Sequence, residues 1–225
     1  MIPRRLVGKH DFRAYVTFFI LFIYVSFFFW EIFLTSTGGN DIEYYLPQYA
    51  LAVCEVGEAP WGEVLVDSLR AMFMSTSFVQ IFVNVLFLWV FAPLVEQFLG
   101  GRRFLFLFFL AGLMSYVFGV VLTPATECEV MYGPNGAIAG LMAAFICLYP
   151  TRRIETYFPV IDRAYDIPGI MLALVYLSVQ FLSEGGALSG EVLPIWDEIG
   201  GFIVGLVFIF VVTLFKPAPR RDPLD

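Results

Sequence analysis

Few side chains in this chain are equipped for acid–base or nucleophilic chemistry, and their spacing keeps them apart. The one histidine, His10, sits in a basic N-terminal stretch far from every other candidate. A serine hydroxyl buried among apolar residues needs an adjacent base before it becomes a nucleophile, and imidazole is the side chain that takes a proton near neutral pH. The positions that invite such roles carry other groups. Asn135 follows Gly133-Pro134 at the head of one apolar run, Glu198 follows Asp197 at the head of another, and Ser75, Gln80 and Asn84 cluster at the start of a third. A carboxamide is a poor nucleophile, and Glu198 would have nothing to activate. Asp197 and Glu198 are sequence neighbours whose side chains diverge by about 100° on a helix, so they do not form a proton-sharing carboxylate pair. With one histidine and three dispersed cysteines, neither a metal centre nor a cofactor is expected.

The elements that must position these residues are membrane spans. The chain is 60% hydrophobic and 15% charged, against about 45–50% and about 25% for a water-soluble domain. Six apolar segments, 14–34, 78–97, 104–122, 135–149, 169–183 and 198–215, read as helices that cross the bilayer. Arg4, Arg5, Lys9 and Arg13 precede the first; Arg102 and Arg103, then Arg152, Arg153 and Arg163, then Lys216, Arg220 and Arg221 follow the second, fourth and sixth. Only Arg70 falls on the other side, so the positive-inside rule puts both termini in the cytoplasm. Acidic residues, Asp41, Glu43, Glu55, Glu58, Glu63 and Asp67 among them, gather on the outer side. The first apolar run is too long for a signal-peptide core and reads as a retained anchor. Cys54 and Cys128 lie outside the membrane and are able to pair, while Cys147 falls within a span.

The resulting partition is a basic cytoplasmic N-terminus at 1–13, a membrane domain at 14–215 with an outer loop at 35–77, and a cytoplasmic tail at 216–225. The apolar residues of Tyr44-Tyr45-Leu46, Ala50 to Val53 and Val64-Leu65-Val66 predict short amphipathic pieces within that loop, lying on the outer leaflet. The segment 135–149 spans only about 22 Å, so its outer end should stop inside the membrane, below a water-accessible recess. The helix N-terminus at Gly133 to Gly136 would there suit an anion or a developing oxyanion. Gly136, Gly140 and Ala144 on one span, and Gly201 and Gly205 on another, give smooth faces for close helix packing.

These motifs resemble those of the rhomboid family of intramembrane serine proteases, over nearly the whole chain. Asn84 to Glu96, with Leu99-Gly100 and Arg103-Phe104, is similar to the family's second span and its exit. Gly133-x-Asn135-Gly136 is similar to its Gly-x-Ser-Gly motif, and Glu198-x-x-Gly201-Phe202 to its His-x-x-Gly-Phe motif. The resemblance implies an all-α, six-helix membrane bundle with both termini inside. It also implies that Asn135 stands at the nucleophile position, Glu198 at that of the base, and Ser75 and Gln80 at those of two span-two histidines; Asn84 keeps the residue that donates to the oxyanion. The Trp-Arg pair usual in the first outer loop is missing, since Trp61 and Arg70 are not adjacent.

The expected product is a non-proteolytic, multi-pass protein of the cytoplasmic membrane that binds transmembrane helices as scaffold, chaperone or trafficking factor. Its partners are client spans and the bilayer, with no role for nucleic acid. The alternative is an intramembrane serine endopeptidase with substituted chemistry, for which Ser75 is the candidate hydroxyl; a small transporter ranks last for want of an ionisable path. Further expectations are that Asn135 caps its helix and donates to Glu198, that Glu96 tethers the outer loop or caps a span end, that Glu31 snorkels, and that the phenylalanine runs 27–29 and 104–109 face lipid.

Overall fold

A computed structural model describes residues 2–5, 14–38, 42–75, 77–122, 130–150, 153–158, 163–183 and 196–216. A helix occupies each of the six apolar segments: α1 (Tyr15–Gly38), α4 (Phe78–Leu99), α5 (Gly101–Leu122), α6 (Asn135–Leu148), α7 (Gly169–Ser183) and α8 (Trp196–Phe215). Two short helices, α2 (Ile42–Tyr49) and α3 (Trp61–Ala71), lie between α1 and α4. Four of these helices, α1, α4, α5 and α8, are long and apolar enough to cross a membrane. At 14 and 15 residues, α6 and α7 reach only about 21–22 Å.

The short α6 sits at the centre, and every residue from Asn135 to Phe145 is buried. It packs against α4, α5 and α8, so backbone that stops short of the bilayer surface meets protein instead of lipid. Glycine sets how closely these helices approach. A Cβ added at Gly201 would overlap the Gly136 carbonyl, one at Gly205 the Gly140 carbonyl, and one at Gly136 the Ser115 side chain. On the third side, Gly140 faces the Ala111 methyl of α5 and the Gly201 carbonyl. Side chains at these positions would push the helices apart and forfeit the dispersion contacts that hold them in lipid.

Glu96, near the C-terminal end of α4, reaches the first turn of α1. Its carboxylate accepts the backbone N–H groups of Val16 and Thr17 at 3.1 and 2.8 Å and the Thr17 hydroxyl at 2.6 Å. It therefore caps a span end, satisfying donors that a helix N-terminus leaves open, and does not tether the outer loop. Gly100, with φ 79°, then reverses the chain into α5. Elsewhere a two-residue strand, β2 (Leu51–Ala52), pairs antiparallel with β3 (Val130–Met131) and joins the segment between α1 and α4 to the approach to α6. Cys54, next to this strand pair, is disulfide-bonded, and Cys147 is a free thiol; Cys128 lies outside the described residues.

Two expectations about the fold change. The protein is mostly helical but not all-α: β1 (Ile2–Arg5), β4 (Arg153–Phe158) and β5 (Arg163–Pro168) form an antiparallel sheet in the order β1-β4-β5. The physical reason is legible in Ile154, Thr156, Tyr157 and Phe158, β-branched and aromatic residues that favour strands. The phenylalanine runs are also not uniform lipid-facing filler. Phe29 and Phe106 are exposed, whereas Phe28, Phe104 and Phe108 belong to the core, because successive side chains on a helix point in different directions.

Candidate functional site

The polar side chains of the bundle converge on Asn84, which is wholly buried on the first turns of α4. Ser77 caps that helix by accepting the Gln80 N–H at 3.1 Å, which fixes the register that turns Asn84 inward. The Asn84 amide donates to Tyr24 Oη on α1 and to Asn135 Oδ1 on α6, each at 3.1 Å. Its carbonyl accepts the Tyr176 hydroxyl of α7 at 3.0 Å. A carboxamide has two donor hydrogens and one carbonyl oxygen. Both ends of Asn84 are thus engaged, by three different helices.

The network continues towards the C-terminal half of α1. Tyr24 Oη shares a hydrogen bond with Ser75 Oγ. The Ser75 backbone N–H donates to the Glu31 carboxylate, 3.1 and 3.3 Å from its two oxygens. Glu31 is only 2% exposed. It does not snorkel: one helical heptad beyond Tyr24, it shares the inward face of α1, and a backbone donor offsets part of the cost of burying a carboxylate there.

The loop before α6 is fastened to the same centre. Gly133, with φ 93°, donates its N–H to the Ala71 carbonyl at 2.8 Å and accepts the Tyr116 hydroxyl at 2.8 Å. A left-handed φ is the reason glycine stands at this turn. Its two fixed backbone groups hold the start of α6 in place. Pro134, not Asn135, is the residue before the first helical turn, and no side chain caps α6. Asn135 is the first helical residue, and its Oδ1 accepts sideways from the Asn84 amide. The expectation that it caps its own helix is therefore corrected: once inside the helix, its carboxamide points at a neighbouring span.

The sequence-predicted positions are brought together unequally. Ser75, Asn84 and Asn135 lie within one hydrogen-bonded chain. Gln80 flanks it, its Nε2 3.2 Å from where a Cβ on Gly133 would stand. Glu198 is buried at the start of α8, and the Asp197 carbonyl packs on Gly136, so positions 135–136 and 197–198 share one level of the bundle. The Glu198 N–H is held by the preceding Asp197 carboxylate at 2.8 Å. Both are buried, Asn135 at 2% and Glu198 at 7% exposure. Tyr24, Glu31 and Tyr176 were missed from sequence, although the heptad spacing of Thr17, Tyr24 and Glu31 is a signal for an inward polar stripe on α1.

The Ser75 hydroxyl of this network is hydrogen-bonded to the Tyr24 phenol, the Tyr24 and Tyr176 hydroxyls bond to Asn84, and no cluster of three or more metal-ligating side chains occurs among the described residues. A model of the Rhomboid domain family matches residues 63–215. A search of curated proteins finds no match to this chain.

Proposed function

This chain belongs to the rhomboid family, which includes both active proteases and inactive pseudoproteases, and we propose that it is one of the inactive members, binding transmembrane helices of client proteins without cleaving them. The observation that carries this reading is the state of Asn84. An oxyanion needs a donor whose hydrogens are aimed at the developing charge. Here both amide hydrogens are spent on Tyr24 and Asn135. The position at the family's nucleophile is an acceptor in the same network. Conversion of a reaction centre into a satisfied hydrogen-bond network favours rigidity over turnover.

The frame around it suits helix recognition. We read all six apolar helices as spans, α6 and α7 included, with both termini on the cytoplasmic side of the plasma membrane, as the arginine distribution indicates. Gly136, Gly140, Gly201 and Gly205 serve the internal contact of α6 with α8, which leaves the outward faces of the bundle for client spans. Exposed Phe22, Phe29, Phe82 and Phe210 line those faces.

The endopeptidase alternative rests on Ser75, whose hydroxyl is hydrogen-bonded to Tyr24 and whose backbone touches Glu31. The group hydrogen-bonded to the Ser75 hydroxyl is the Tyr24 phenol, and a phenol, ordinarily protonated near neutral pH, is a poor general base. The test is incubation of purified protein in proteoliposomes with a transmembrane substrate and a fluorophosphonate probe. No cleavage and no labelling are expected, with client spans recovered intact by photocrosslinking from lipid-facing positions. Cleavage abolished by Ser75→Ala would overturn the proposal. The double change Asn135→Ser with Glu198→His then asks whether the frame alone supports catalysis.

A further inference from the structure

Away from the buried network, two cavities meet at a single cation. The larger, about 520 Å³, lies between the outer half of α1 and the α2–α3 loop, where Phe27, Trp30, Tyr49 and Met74 join Ser26 and Arg70 in its wall. The smaller, about 120 Å³, has Gln48, Glu55, Asp67 and Arg70 among its walls. From residue 14 to residue 101, Arg70 is the only lysine or arginine in the sequence.

Arg70 is held but not saturated. One guanidinium nitrogen pairs with the Asp67 carboxylate a turn earlier, and the planar group lies 5.9 Å from the Tyr49 ring centroid. Its Nε is buried with no hydrogen-bond partner among the described residues. A guanidinium carries five donors in a fork that matches carboxylate or phosphate oxygens, and a buried donor left without an acceptor is costly. The unfilled donor sits where an apolar chamber opens into a polar one.

We propose that this junction binds a phosphoethanolamine glycerophospholipid of the outer leaflet. One acyl chain fills the apolar cavity against Phe27, Trp30 and Met74, the phosphate accepts from Arg70, and the ammonium extends towards Glu55 and Asp67. The cavity volume falls in the range of small-molecule sites, about 300–1,000 Å³. The acidic surroundings select the headgroup. Glu55 and Asp67 line the smaller cavity together with Arg70, so a net-negative lipid is repelled, while a zwitterion offers each charge an opposite partner. A primary ammonium also donates hydrogen bonds to the carboxylates, which a quaternary one does not. The site would hold the outer loop against α1 as a lipid wedge, independently of whether the bundle cleaves or merely binds its clients.

The test is native mass spectrometry of delipidated full-length protein offered equal amounts of phosphatidylethanolamine and phosphatidylglycerol with identical acyl chains. Wild type is expected to retain one phosphatidylethanolamine with about tenfold preference. Arg70→Gln should lower that retention about tenfold, and Ser26→Trp, which fills the apolar cavity from the exposed face of α1, should lower retention of both lipids. Thermal unfolding of each variant alongside wild type separates loss of the site from loss of the fold. Equal retention of the two lipids, indifference to both substitutions in folded protein, or recovery of a peptide in place of lipid overturns the proposal.

Discussion

Replacing Asn84 with alanine separates a structural from a reactive role for the centre of the bundle. The substitution deletes three hydrogen bonds, to Tyr24, Asn135 and Tyr176, at a site with no solvent exposure. Side-chain hydrogen bonds between membrane helices average about 0.6 kcal/mol and reach about 1.7, so three contribute about 2 kcal/mol. Stranding the Tyr176 hydroxyl and the Asn135 carbonyl in a dry interior raises the cost towards about 4 kcal/mol. For a chain of this size about 2–4 °C accompanies each kcal/mol, so Asn84→Ala should unfold roughly 5–15 °C below wild type in detergent. Tyr24→Phe and Tyr176→Phe should each cost about 1 kcal/mol, and combining either with Asn84→Ala should add less than its separate effect, because the partners are shared. Thermal unfolding followed by circular dichroism, with double-mutant cycles, measures all of these. If Asn84→Ala falls within about 0.5 kcal/mol of wild type, the carboxamide is not held as described, and the argument for a frozen site fails.

Three further outcomes are expected. Gly205→Leu places a bulky side chain against the Gly140 carbonyl and should destabilise by about 1–3 kcal/mol or more, read as a lower unfolding temperature, whereas Gly62→Ala, in open space, should change little. Glu96→Ala removes the acceptor for two α1 backbone donors and a hydroxyl and should cost about 1–2 kcal/mol, with hydrogen exchange accelerating at Val16 and Thr17 first. Cys54→Ser, or reduction of the wild type, should lower stability by about 2–5 kcal/mol and increase proteolysis of the 42–71 loop.

The helices were legible because their cause is local. Lipid demands long apolar runs, and each predicted segment agrees with an observed helix to within a few residues at either end. The glycines at 136, 140, 201 and 205 were legible for a related reason, since small residues four apart have few other uses in a span. The polar contacts were read less well. For Asn135 the sequence suggested a partner in Glu198 but not the Asn84 amide that its Oδ1 accepts, a contact set by the rotation of α6 that no spacing reveals. Tyr24 and Tyr176 were lost among 11 tyrosines, since an aromatic in a membrane chain ordinarily marks an interface or lipid contact. Glu31 was misjudged from its depth alone: the azimuth of the helix, set by contacts with α4, decides which way a carboxylate faces. The sheet from Ile2–Arg5 with 153–168 was overlooked because its strands are short and lie between membrane helices, where the arginines drew the reading towards topology.

The Glu31 contact also bears on how the chain is made. α1 emerges from the ribosome carrying a carboxylate on the face it will later bury, and the N–H that receives it belongs to Ser75, more than forty residues downstream. Until that stretch is synthesised, the first helix has to lodge in the bilayer with its acid unmet or keep it near the headgroups. The Glu31–Ser75 contact therefore ties the burial of the acid on α1 to the arrival of the stretch that leads into α4.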